Sequence, residues 1–235
     1  MLRFLGRHRL MLEDAVTAAF ATNKGFTLGD IAWLDFPFDP CSPQGDGEWK
    51  SVDFLPNAGG VAWLDFWPDK RAGTAGRTGV PSWDAVALLR TNGRPEWLLI
   101  EAKARLGELR NTSAKCGAGG KSLATIKRSL KETWQASSGK LDGEWPEFER
   151  VWLGKDYQKA NRLACLHFLN QINRTPARLL YIYFTGDSFR GSPVNAAGWK
   201  GAIDAQNSAL GLAHSSIDRV HEIFLPVGSN IARNT

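Results

Sequence analysis

Residues 83–109 read WDAVALLRTNGRPEWLLIEAKARLGEL, two strongly apolar runs joined at Asn92-Gly93. Asn-Gly is the dipeptide best suited to a two-residue turn with positive φ at both central positions. A hairpin folded about it pairs Thr91 with Arg94 and, at its far end, Asp84 with Glu101. Opposed residues on antiparallel strands point to the same face, with Cβ atoms about 4.5–5.5 Å apart. Lys103 lies two residues beyond Glu101, so the strand period returns it to that face. The expected register therefore gathers two carboxylates and an ammonium at one end of a hairpin. Pro95 is the residue that could lengthen the loop or add a bulge and so shift the pairing.

Both faces of this hairpin are otherwise largely apolar. Val86, Leu88, Trp97 and Leu99 share the face of the acids, while Ala85, Leu89, Leu98 and Ile100 share the other. A sheet covered on both sides needs no charge within it, so acids at one end require an account. Two oxygen donors close together suit Mg²⁺, with Mn²⁺ as a substitute; Mg²⁺ takes one or two carboxylates plus waters and phosphate oxygens. A metal so held lowers the pKa of a bound water, and a nearby lysine can orient that water or stabilise developing charge. The set is suited to phosphodiester hydrolysis. The bland alternative is a salt bridge at a strand end.

The chain around this hairpin has 235 residues, 43% hydrophobic and 23% charged, with a net charge of +5 and ten tryptophans. The balance is that of a soluble globular protein, and the mild basicity permits an anionic partner such as nucleic acid without demanding one. Most of the tryptophans, including Trp63, Trp83 and Trp97, sit in apolar patterns and read as core. Cys41, Cys116 and Cys165 are odd in number and widely spaced, which argues for a reducing compartment and against a disulfide scaffold. Charges are scattered through the N-terminal stretch MLRFLGRHRLMLEDAV, so a signal peptide is not expected. No segment approaches the roughly 18 apolar residues of a membrane span. The expected location is cytoplasmic.

Periodicity gives a helix over residues 9–21, with Leu12, Val16 and Ala19 as its stripe. DIAWLDF (30–36) and VAWLDFW (61–67) read as strands. A second helix is expected from Ser122, as N-cap, to about Gln135, with Leu123, Ile126, Leu130 and Trp134 on one face and Lys121, Arg128 and Lys131 off it. Residues 139–152 read as a connection or irregular insert. Residues 157–171 read as a buried helix, 178–186 as a buried strand and 219–227 as a final strand. The basic, Gly-rich segment 69–79, with Lys70, Arg71 and Arg77, either touches phosphates or is a solvated connection. Nothing forces a second domain. The expected class is α/β: one domain over 1–235, a mixed sheet with a strand meander flanked by helices, its core at about 9–185 and a C-terminal extension at 186–235.

Asp84 at a strand start and Glu-Ala-Lys at 101–103, with this order of elements, resemble the PD-(D/E)xK, or restriction-endonuclease-like, nuclease superfamily. Trp83 stands where the family name would put proline, with Pro81 two positions earlier. The resemblance covers about residues 9–185. It implies a restriction-endonuclease-like core, Asp84 and Glu101 as metal ligands, Lys103 as a catalytic cation, and a nucleic-acid substrate, DNA by default. Gln158 and Arg162, at i and i+4 on the 157–171 helix, can point to one spot. Gln158 is similar to the glutamine some members place beside the metal site, although Arg162 stands where their tyrosine would be; a structural hydrogen-bond role is the alternative. Glu13 resembles the extra acid of some members, and Glu108 is a possible third carboxylate; both also read as ordinary solvated acids.

KCGAGGKS (115–122) ends like a phosphate-binding loop, but Lys115 occupies the position of its first glycine and no strand runs into it, so ATP binding is not expected. The free amides of that helix start can still meet a substrate phosphate. His8, His167, His214 and His221 lack zinc-ligand spacing. The leading expectation is a Mg²⁺-dependent nuclease. Its rival is a non-catalytic nucleic-acid- or protein-binding scaffold on the same fold, and the oligomeric state is left open.

Overall fold

The computed structural model describes residues 8–21, 28–36, 47–57, 60–69, 80–109, 115–138, 148–187, 194–212 and 219–227. In chain order the elements are α1 (Arg9–Ala21), β1 (Leu28–Trp33), β2 (Trp49–Lys50), α2 (Gly60–Phe66), β3 (Ser82–Trp83), β4 (Ala85–Thr91), β5 (Arg94–Lys103), α3 (Gly120–Ser138), α4 (Phe148–Arg150), α5 (Tyr157–His167), β6 (Ala177–Thr185), α6 (Ala196–Ala209) and β7 (Val220–Pro226). A 3-10 turn spans Leu106–Glu108, and π-helical turns span Val151–Lys155 and Phe168–Ile172.

The Asn92-Gly93 turn aligns the centre of the sheet. Asn92 and Gly93 have φ values of 49° and 78°. β4 and β5 pair from Thr91 opposite Arg94 out to Ala85 opposite Ile100, with Arg90 opposite Pro95 and no slip. Pro95 inserts no bulge. β1 adds to β4 antiparallel, with an irregularity between Leu28 and Ile31, and β6 and β7 extend the far side in parallel. The five-stranded order is β1-β4-β5-β6-β7, a mixed sheet. Parallel neighbours need crossovers; residues 104–176 supply one with α3 and α5, and residues 186–219 supply the other with α6.

Strand alternation divides the apolar side chains into two cores. Ala85, Ala87, Leu89, Leu98, Ile100, Leu180 and Ile182 pack with Leu12, Val16 and Phe20 of α1. Val86, Leu99, Leu179, Tyr181 and Tyr183 pack with residues of α2, α3, α5 and α6. Helices thus cover the sheet on both faces.

Several elements differ from the sequence reading. VAWLDFW was expected to be a strand, but residues 60–66 form α2, with Trp63, Phe66 and Trp67 buried and Leu64 exposed. Those buried positions, at i, i+3 and i+4, form one side of a helix. A short apolar run fits either period, and here the helical face meets Phe168. β1 ends at Trp33 rather than at residue 36. α3 starts at Gly120, so Ser122 lies inside the helix and is not its N-cap. Residues 148–152, part of the stretch read as a connection or irregular insert, form α4 and the start of a π-helical turn that buries Val151, Trp152 and Leu153. α6 was not expected at all. Asn195 caps it, its side chain accepting from the Gly198 N–H at 2.8 Å, and Trp199 and Ile203 are buried. The basic segment 70–79 lies outside the described residues.

Gly93 holds a backbone conformation that L side chains rarely adopt, and a Cβ there would meet nothing within 4 Å. Gly93→Ala should therefore cost about 1 kcal/mol through the backbone alone. Urea unfolding should show a lower midpoint with an unchanged slope.

Candidate active site

Asp84 sits at the break between β3 and β4. Its backbone N–H donates to Ile100 O at 3.0 Å, and its Oδ2 accepts from the Ala102 N–H at 2.7 Å. These two bonds tie Asp84 across the hairpin to the Ile100–Ala102 stretch, at the end opposite the turn. Glu101, one residue beyond the last paired position, is 4% exposed on the central strand. Its Oε1 pairs with Lys103 Nζ. Its Oε2 takes Arg162 Nε and Nη2, each at 2.7 Å. Lys103 Nζ also donates to Gln158 Oε1 at 3.2 Å. One strand period and one turn of α5 therefore bring Glu101, Lys103, Gln158 and Arg162 into one hydrogen-bonded cluster beside Asp84.

α5 delivers its two polar side chains because it packs on the core beside the sheet with Ala160, Leu163, Ala164 and Cys165 buried. Arg162 reaches further. Its Nη2 donates to Ser82 O at 3.0 Å, its Nη1 to Asn161 Oδ1 at 3.0 Å and Gln158 O at 3.3 Å, and its guanidinium lies 5.9 Å from the Trp83 ring centre. Burial works against its charge, but Glu101, Tyr181 and Asp84 together more than offset this and its pKa is pushed up.

The cluster opens on a cleft of about 490 Å³ whose walls include Asp84, Glu101, Lys103 and Gln158. Burial, then the charge of Glu101, pushes the Asp84 carboxyl up to about 6 from 3.8, with the Ala102 N–H pulling the other way. Behind the cleft, Lys159 is buried against α6, its Nζ donating to Asn207 Oδ1 at 2.5 Å. Burial pulls that ammonium down to about 8, against Glu222 and Asp156.

Other sequence candidates separate here. Glu108 lines the cleft, yet its Oε2 accepts from the Ala104 N–H at 3.2 Å and its Oε1 pairs with Arg105 at 3.0 Å. Glu13 accepts from Trp33 Nε1 at 2.8 Å, and α1 covers the opposite face of the sheet, so Glu13 does not join the site. On α3, Arg128 donates to Asp65 O at 2.5 Å and Lys127 pairs with Glu149, so part of that basic side has structural partners.

Two charged cleft residues escaped the sequence reading. Glu48 precedes Trp49, which pairs with Trp83, and its charge raises Asp84 further. No local pattern in its Pro/Gly-rich surroundings marked it. Lys115, noted only as a misfit in a phosphate-loop pattern, also lines the cleft.

Among the described residues no group of three or more His, Cys, Asp or Glu side chains is arranged to hold a metal ion. Asp84 and Glu101 both line the cleft, close enough for the charge of Glu101 to raise the Asp84 pKa. Comparison with protein-family models, curated proteins and solved structures found no match to the chain. No helix among the described residues is long and apolar enough to cross a membrane.

The folded value of Asp84, about 6, lies above its ordinary 3.8, so the folded protein holds this proton more tightly than the unfolded chain does. That contribution to stability is present in full below pH 3.8, declines as the pH rises towards 6 and is lost above it. Asp84→Asn keeps an acceptor for the Ala102 N–H and removes the charge. In chelator-containing buffer it should be more stable than wild type above pH 6, by on the order of 2–3 kcal/mol. The gain should vanish below about pH 4, which denaturation across that range will measure.

Proposed function

We propose that this chain is a metal-dependent nuclease with a restriction-endonuclease-like core, hydrolysing phosphodiester bonds in nucleic acid, with DNA the default substrate. The observation that carries the reading is the convergence of Asp84, Glu101 and Lys103 at one end of a hairpin beside an open cleft.

The donor set suits Mg²⁺ or Mn²⁺: all-oxygen ligands from two carboxylates, the rest left to water and substrate. The raised pKa of Asp84 supports the fit, because a second negative charge beside Glu101 is costly until a cation offsets it. Asp84 and Glu101 would hold the metal, which when bound supplies an acidified water and offsets phosphate charge. The Ala102 N–H fixes Asp84 Oδ2, and Oδ1 would be the oxygen left to meet the cation. Lys103, with Gln158 accepting from its Nζ, presents an ammonium at the cleft to orient water or stabilise charge on the phosphate. Lys115 adds a further cation on the wall where an anionic backbone would pass.

One observation favours the rival, a non-catalytic nucleic-acid- or protein-binding scaffold. Both oxygens of Glu101 already have cationic partners, as they would in a purely structural ion cluster. Cleavage decides between the two. Wild-type protein should cut plasmid, single-stranded DNA or RNA with Mg²⁺ or Mn²⁺ and stop on chelation. Asp84→Asn, Glu101→Gln and Lys103→Ala should each lower cleavage by roughly 10²-fold or more while staying folded. Undiminished cleavage by folded Asp84→Asn would remove the nuclease assignment.

Binding to nucleic acid should weaken steeply as salt rises, because each phosphate contact releases counterions. Electrophoretic mobility shifts with the Asp84→Asn protein, measured from low to high salt, will give the slope. A tight complex insensitive to salt would point to another kind of partner.

A further inference from the structure

The two cations on Glu101 are not equivalent. Arg162 is 7% exposed, and all three of its nitrogens are committed: Nε and Nη2 to Glu101 Oε2 at 2.7 Å, Nη2 also to Ser82 O at 3.0 Å, and Nη1 to Asn161 Oδ1 at 3.0 Å and Gln158 O at 3.3 Å. Pulling Oε2 away would leave a buried guanidinium, permanently charged, without its counter-ion, which is strongly unfavourable. Lys103 differs in kind. It lines the same cleft and is nearly as buried, at 8% exposed, but its ammonium is a compact charge on a flexible stem, and a second acceptor, Gln158 Oε1, already stands at 3.2 Å. Nζ can leave Glu101 and keep a partner.

We infer that Arg162 and Lys103 together set how Glu101 can take a cation: through Oε1 alone, and only once the Lys103 ammonium has moved off it. The inference rests on the metal-dependent reading above and specifies the chain's own part in it. Arg162 is then a positioning residue, holding Oε2 so that Oε1, paired with Lys103, is the oxygen of Glu101 left to exchange partners. Lys103 occupies the cation's place until it is displaced, and the displaced ammonium stays beside the cleft on Gln158. Charge counting agrees. Asp84 and Glu101 carry two negative charges when ionised, and Lys103 and Arg162 carry two positive ones. These four side chains sum to zero and give no net attraction to a divalent ion.

The test is Mn²⁺ binding to the full chain at fixed pH without nucleic acid, read by titration calorimetry or by the electron paramagnetic resonance of free Mn²⁺. Lys103→Met should bind Mn²⁺ at least about tenfold more tightly than wild type, since a like charge at contact distance is removed. Lys103→Arg, which retains the charge, should stay close to wild type. Arg162→Gln should also bind more tightly yet turn over more slowly, whereas a merely weakened fold would lose both. If Arg162→Gln does not fold, the Lys103 pair still decides.

Tighter binding by Lys103→Met supports the inference, including the case in which wild type cleaves DNA but binds Mn²⁺ too weakly to measure. Unchanged or weaker binding by folded Lys103→Met, in a chain whose wild type cleaves with metal, overturns the inference and leaves the nuclease reading standing. No Mn²⁺ binding by any variant, together with no metal-dependent cleavage by wild type, overturns both.

Discussion

A carboxylate on a central strand must be neutralised by what surrounds it. Glu101 lies on β5 between β4 and β6 at 4% exposure. Left alone there, its charge would cost several kcal/mol, and removing one member of such a buried pair typically costs about 3–5 kcal/mol. Arg162 meets that demand from α5, and in doing so joins three elements at once, because it also bonds Ser82 O and lies over Trp83. α5 must therefore cross the sheet with this residue facing β5. The position of Gln158, one helical turn earlier, follows from the same orientation, and so does its bond with Lys103. The polar cluster and the apolar packing of α5 are a single arrangement.

β5 carries a second buried acid at its other end, and the contrast is informative. Glu96 is also 4% exposed and is held by Arg178 Nε at 2.7 Å and by Arg219. Arg178 in turn meets His221 Nε2 at 3.1 Å and lies over the Phe20 ring. This cluster ties β5, β6, the start of β7 and α1 together on the opposite face. Opposite Glu96 on β4 stands Leu89, whereas the Glu101 end has a second carboxylate, a lysine with an alternative acceptor and an open cleft. Buried charge by itself does not distinguish a site from a staple. Access and an unspent oxygen do, and among the described residues Asp84 Oδ1 is such an oxygen.

Much of the site was legible because it is built from local rules. A two-residue turn with its preferred dipeptide leaves the flanking strands one pairing, and the period of two then assigns every side chain to a face. Asp84, Glu101 and Lys103 follow from those rules with no knowledge of the rest of the chain. Gln158 and Arg162 were legible as a pair, since i and i+4 share a helix side, but their target was not: Arg162 meets Glu101 61 positions away. Glu48 and Lys115 gave no signal, because a loop residue reaches a site only through the path of the folded chain. Glu13 went the other way. Its helix was read correctly, yet the face of the sheet on which a helix packs is decided by the whole chain.

The string Ala-Trp-Leu-Asp-Phe marks the boundary most directly. At 32–36 it begins as the end of β1 and runs out into irregular backbone, and at 62–66 it is helical. Five residues do not carry enough periodicity to separate the two conformations. Ala32 and Trp33 became strand because β4 offered them a partner, opposite Leu88 and Ala87. Trp63 and Phe66 became helix because Phe168 and the α3 side of the core offered a surface to cover. The sequence by itself determined the hairpin, its register, the amphipathic α1 and the buried strand β6, all through interactions between near neighbours. Only the tertiary structure decided which face α1 covers, what AWLDF becomes and which cation holds Glu101, because each of these depends on surfaces brought together from distant parts of the chain.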